Sequence, residues 1–336
     1  MLRDKKTLFA VLRVVGLILP VVFFYFCFRN VDWHTLWQAL RAFPKSAMFG
    51  IILIVSLLPA VKTLQWKIFA SRYGSLSFRS LYPTVSVWMM AVNVFPLWAG
   101  EALAIYLLGK KQGMPKSAAL SVITLDQICE GISLAAIFSV LAYAAAIPAW
   151  MQHSMRAILA LIALAFLALL YFSWKHREAP NGGEDAASGF WGKLRRHFGH
   201  WAHHLEPLRK PSKFLPGLAL TFSVRAVEIA TLYLLEKSFG LELPGYAPFL
   251  VVAALHLAMF IPFSPGNLGL FEAAVFAAYR FLGVEATTAL GLALCFHVFT
   301  ALPLIAQGYW YYLRLGLKET RGASGAAWSL AQQAER

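Results

Sequence analysis

The residues of this 336-residue chain that can do chemistry are polar groups set inside apolar segments. Glu101 follows the break Pro96-Leu97-Trp98-Ala99-Gly100, and Glu272 follows Ser264-Pro265-Gly266-Asn267-Leu268-Gly269-Leu270-Phe271. Each carboxylate falls in the first turn of a resumed helix, where the positive end of the helix dipole favours an anion. Two roles are open to them: capping the helix, or contacting a substrate or proton. Asn93 and Asn267 offer hydrogen bonds to a ligand or to the interrupted backbone. Pro96, Gly100, Pro265, Gly266 and Gly269 shape the two breaks.

Asp126 and Glu130 are four residues apart and share one helix face. In apolar surroundings two such carboxylates do not both ionise without a cation, which Lys62 or Arg225 can supply. Structural ion pairing and a proton relay both fit this spacing. Arg225 and Glu228, one turn apart, can pair with each other, and Arg280 is a further source of positive charge. His256 and His297, each alone on an apolar stretch, read as core histidines with backbone partners.

Other chemistries leave no trace. There is no glycine-rich phosphate loop, no serine-histidine-aspartate layout and no metal motif, so the expectation is a protein that is not an enzyme and holds no cofactor. Cys27, Cys129 and Cys295 lie in apolar segments without metal-ligand spacing. His200 and His204 are one turn apart but lack further ligands, so solvated histidines are expected.

The elements that position these groups must be membrane helices, because 59% of residues are hydrophobic and only 14% are charged. Full spans are expected at Leu8 to Phe28, Ala47 to Phe69, Ser117 to Ile147, Ile158 to Trp174, Phe214 to Leu235 and Ala286 to Leu313. Leu81 to Leu108 and Pro248 to Leu282 are broken regions whose pieces are short for a hydrocarbon core of about 30 Å. The net charge of +14 sits in loops beside spans, where it sets orientation and meets anionic lipid; nucleic acid is not implied. Residues 193–213 read as an interfacial helix on anionic lipid, residues 175–213 as a basic cytoplasmic linker, and residues 319–336 as a disordered tail.

The two broken regions align weakly. From Gly74 and Gly240, Pro96 and Pro262 both fall 22 residues on, and past the breaks Gly113 meets Gly283. If the basic clusters are cytoplasmic, with both termini on that side, the first broken region enters from the cytoplasm and the second from outside. The expected architecture is therefore an all-α polytopic membrane protein, a single domain over residues 1–318, with about six full spans and two re-entrant hairpins. These form an inverted repeat, residues 47–147 against 214–314. Eight plain spans are the alternative.

The motifs Pro96 to Glu101, Asp126-Gln127-Ile128-Cys129-Glu130 and Ser264 to Glu272 resemble the lysylphosphatidylglycerol synthase transmembrane, or flippase-like, domain family. The multiple peptide resistance factor carries such a domain fused to a soluble synthase, which has no counterpart here. The resemblance implies a bacterial inner-membrane protein that moves a lipid or lipid-linked group between leaflets, alone, as a homo-oligomer or with a biosynthetic partner. Ala104, Gln127 and Phe271 stand where the family pattern has arginines. An intramembrane transferase and a non-catalytic partner of an envelope-synthesis complex are the other classes considered.

Overall fold

The computed structural model describes residues 43–73, 76–95, 98–144, 149–176, 198–259 and 267–334, with single positions 34, 37 and 41. Its regular elements are all helices, and five stretches are long and apolar enough to cross a membrane. The protein is an all-α membrane protein.

The first of these stretches, Lys45–Phe69, is two helices, α1 (Lys45–Ser56) and α2 (Leu58–Phe69). Pro59 in the first turn of α2 has no N–H to continue the ladder, so the helix restarts at Leu57. The others lie in α5 (Lys116–Ala144), α6 (Ala149–Lys175), α7 (Pro211–Ser238) and α10 (Ala286–Ala334). They correspond to five of the six expected spans. The expected span Leu8 to Phe28 lies outside the described residues.

The two broken regions are pairs of shorter helices. In the first, α3 (Phe78–Val94) packs on α4 (Ala99–Gln112); in the second, α8 (Ala247–Met259) packs on α9 (Leu270–Phe281). At about 1.5 Å per residue none is longer than about 26 Å. Ser77 starts α3, its Oγ accepting the Ser80 N–H at 3.1 Å. The aligned glycines Gly113 and Gly283 follow the second helix of each pair, and both adopt left-handed backbone, with φ of 68° and 83°.

Packing interleaves the two halves of the chain. The α2 helix lies on α7, α3 on α10, and α8 on α5. The α3–α10 contact is the most intimate: Gln307 donates to the Tyr82 hydroxyl at 2.8 Å, and Tyr311 meets the Tyr82 ring edge-on. At Gly308 an added Cβ would overlap the Met90 side chain and the Ser86 carbonyl. Gly308→Val is therefore expected to destabilise the bundle by about 1–3 kcal/mol, because backbone cannot yield as a side chain does. A thermal melt in detergent checks this, and an unchanged midpoint would rule out the close helix contact.

Two expectations are corrected. Residues 198–208 do not lie free on a surface: Leu205 and Ala202 are fully buried, and Trp201 Nε1 donates to Thr124 Oγ1 at 3.2 Å. Their apolar face finds α5 and α6 before it finds lipid, and Ser173 Oγ bonds the Leu205 carbonyl at 3.1 Å. His204, expected to be solvated, and its neighbour His203 are held by protein groups instead. His203 is buried with Nδ1 on the His176 carbonyl, and His204 Nδ1 accepts from the Tyr73 hydroxyl. Burial, helped by His203, Arg72 and His200, pushes His204 down to about 4, which keeps it the neutral acceptor that this bond requires. The helix α10 continues to Ala334. Its run of alanines (Ala323, Ala326, Ala327, Ala331, Ala334) favours helix.

Candidate functional site

The interruption after α3 and the start of α9 both face one cavity of about 390 Å³. The first break contributes Val92, Asn93, Phe95, Trp98 and Glu101; the second contributes Met259 and Asn267. The rest of the wall is Gln127, Glu130, Gly131 and Leu134 from the long helix α5, Arg225 from the long helix α7, and His256 from the short helix α8. Two interruptions far apart in sequence therefore open onto the same space.

Behind one wall runs a chain of charges. Lys62 Nζ is 2.7 Å from Asp126 Oδ1 and 2.5 Å from Glu130 Oε1. The other oxygen of Glu130 pairs with Arg225 Nη2, and Arg225 Nη1 lies 2.5 Å from Glu228 Oε2. Ser133 Oγ accepts from Arg225 Nε at 3.1 Å and itself donates to the Glu130 carbonyl at 2.7 Å. His256 Nε2 is 3.0 Å from Glu228 Oε1 and also meets Arg225 Nη1. Lys62, Asp126 and Arg225 are buried, while Glu130 and Arg225 also reach the cavity. Burial without partners would be prohibitive for such ions, and each of the three is paired with a group of opposite charge.

The two carboxylates that follow the breaks have different surroundings. Glu272 is buried, with Oε2 accepting the Gly269 N–H at 2.7 Å and Oε1 at 2.7 Å from His297 Nδ1. It caps the start of α9 by reaching back to the N-cap N–H, where Gly269 has a φ of 83° that only glycine adopts cheaply. His297 is stacked on Phe271 at 4.2 Å, so the phenylalanine that stands in place of an expected arginine forms part of the cap. Glu101 instead lines the cavity, and among the described residues no lysine or arginine forms an ion pair with it.

The remaining candidates separate in the same way. Asn93 lines the cavity, and its Nδ2 donates to the Met89 carbonyl at 2.7 Å. Asn267 lines it with a left-handed φ of 54°. Gly100 is buried where α4 crosses Val92. Arg280 is outside the cavity and donates to the Val284 carbonyl at 2.6 Å, finishing α9. Pro96, Pro265 and Gly266 lie outside the described residues. Sequence reasoning placed His256 in the core with a backbone partner; its side chain meets Arg225 and Glu228 instead. The signal available was an Arg-Glu pair one turn apart in a span, which leaves donors and lone pairs to be satisfied by a third group.

Among curated proteins no match to the chain was found. The family model described as "Lysylphosphatidylglycerol synthase TM region" matches residues 11–308, a span that takes in both breaks and every residue of the charge chain. The chain belongs to that family.

Proposed function

We propose that this protein is a transporter that carries a lipid, or a lipid-linked group, between membrane leaflets, and that it does no covalent chemistry on its cargo. The observation that carries this reading is the shared cavity: both interrupted helix pairs open onto it, and its polar groups sit among helices apolar enough to cross a membrane. Irregular backbone at membrane depth is tolerated where it is buried or lines a water-filled space, and paired broken helices meeting at such a space are the plan of many secondary transporters. The helix pairing α2 on α7, α3 on α10 and α8 on α5, with the matched left-handed Gly113 and Gly283, supports an inverted repeat with two re-entrant hairpins.

In this scheme the headgroup occupies the cavity while the acyl chains stay in the bilayer. Glu101, Asn93 and Asn267 bind it, and Lys62, Asp126, Glu130, Arg225 and Glu228 set the charge of the wall. The protein sits in a bacterial inner membrane with both termini cytoplasmic, and the basic residues near 193–213 meet anionic lipid there.

The test is direct. The purified full chain, reconstituted into liposomes with a fluorescent phospholipid confined to one leaflet, is expected to expose that lipid to an external quencher faster than protein-free liposomes do. Equal rates across phosphatidylglycerol, phosphatidylethanolamine and a polyprenyl-phosphate probe, all at the protein-free level, would contradict the proposal.

A further inference from the structure

We infer that His256, Arg225 and Glu228 form a proton-gated site for the phosphate of a lipid headgroup; this rests on the transporter reading for its role but not for its chemistry. The starting observation is a conflict at one atom. Nε2 of His256 faces both Arg225 Nη1, which can only donate, and Glu228 Oε1, which as a carboxylate can only accept. A single ring nitrogen serves one of these partners at a time. Neutral, with its hydrogen on Nδ1, the imidazole accepts from Arg225. Protonated, it donates Nε2–H to Glu228 and repels Arg225.

The consequence falls on the arginine. In the neutral state Arg225 spends Nη1 on Glu228 and His256, Nη2 on Glu130 and Nε on Ser133. When a proton arrives, His256 donates to Glu228 Oε1, and the Nη1 hydrogen that it had accepted is released at the cavity wall, while Glu228 Oε2, Glu130 and Ser133 still hold the guanidinium in place. An oriented guanidinium donor beside a cavity is suited to a phosphate oxyanion. The charge balance moves the same way: Lys62 and Arg225 face three carboxylates, and the one uncompensated negative charge is cancelled by protonated His256. Histidine is the side chain whose charge ordinarily changes near neutral pH.

The charged groups facing His256 are few. From α7 come Arg225 and Glu228, and from α5 comes Glu130, with Asp126 and Lys62 behind it. Glu101 of α4 lines the same cavity. Helix α9, packed on α8, carries Glu272 and Arg280, which are held by Gly269 and His297 and by the Val284 carbonyl respectively.

The experiment is calorimetric titration of the detergent-purified full chain with dihexanoyl phosphatidylethanolamine at pH 6 and pH 8. The phosphodiester of this probe keeps its charge across that range. Binding is expected to be roughly tenfold tighter at pH 6, within the limit that one linked proton sets, and the ratio should collapse toward one in His256→Gln. In Glu228→Gln, where Arg225 has lost the partner that holds Nη1, the ratio should shrink as well. An equal pH response in wild type and His256→Gln would overturn the gate, and so would no binding at either pH. Inorganic phosphate binding as tightly as the short-chain lipid would overturn the assignment to a lipid phosphate. Translocation in liposomes without pH-dependent binding would remove the gate and leave the transporter standing. Gated binding without translocation of any lipid would do the reverse.

Discussion

Lys62→Met is expected to destabilise the protein by about 3–5 kcal/mol, the cost of stripping the partner from a buried ion pair. The substitution conserves the aliphatic stem and removes a cation that touches both Asp126 and Glu130 at 2.5–2.7 Å. Glu130 keeps Arg225 on its other oxygen, so Asp126 is the group left stranded. This asymmetry makes the prediction specific. Adding Asp126→Asn to Lys62→Met should recover most of the loss, whereas adding Glu130→Gln should deepen it by removing one of the two carboxylates that pair with Arg225. Thermal unfolding of the single and double variants in detergent provides the measurement. Equal recovery from both second substitutions would mean that the charges are not partitioned as the distances indicate.

The second large effect separates two carboxylates that look equivalent in sequence. Glu272→Gln removes a charged acceptor that serves both the Gly269 N–H and His297, and the loss should be about 1.5–3 kcal/mol of stability for the charged hydrogen bond. Glu101→Gln disturbs no ion pair, so its unfolding midpoint should stay near wild type. Its effect should appear in lipid translocation, slowed by roughly 10- to 100-fold if a charged hydrogen bond to the headgroup is lost. The paired measurement of melting and transport distinguishes them. Two variants that lose stability alike, with transport falling only in proportion, would make Glu101 a cap as well.

How much of this was legible in the chain depended on how local each cause is. Prolines and glycines act on their own backbone, so the breaks between α3 and α4 and before α9 could be read directly, and so could the long apolar spans. The grouping of Lys62 with Asp126 and Glu130 was half legible. Helical spacing put the carboxylates on one face and solvation physics demanded a cation, but the choice among basic residues needed the fold. Glu101 and Glu272 could not be told apart, because the difference lies with His297, 25 residues beyond Glu272 and on another helix. His256 was misread for the same reason: its partners come from α7. The segment 198–208 has the pattern of an interfacial helix, and only the presence of Thr124 and Ser173 on neighbouring helices turns its apolar face inward.

If the cavity between the two breaks is the path of a lipid headgroup, filling it must stop transport. Single cysteines placed at Asn93 and Asn267, which line the cavity, and at Leu164, which is 65% exposed on α6, provide the comparison in a background whose own three cysteines are alanine. After modification with a bulky membrane-permeant maleimide, translocation of fluorescent phospholipid in liposomes should fall to the protein-free rate for Asn93→Cys and Asn267→Cys and persist for Leu164→Cys. Undiminished translocation after complete labelling at both cavity positions would contradict the account.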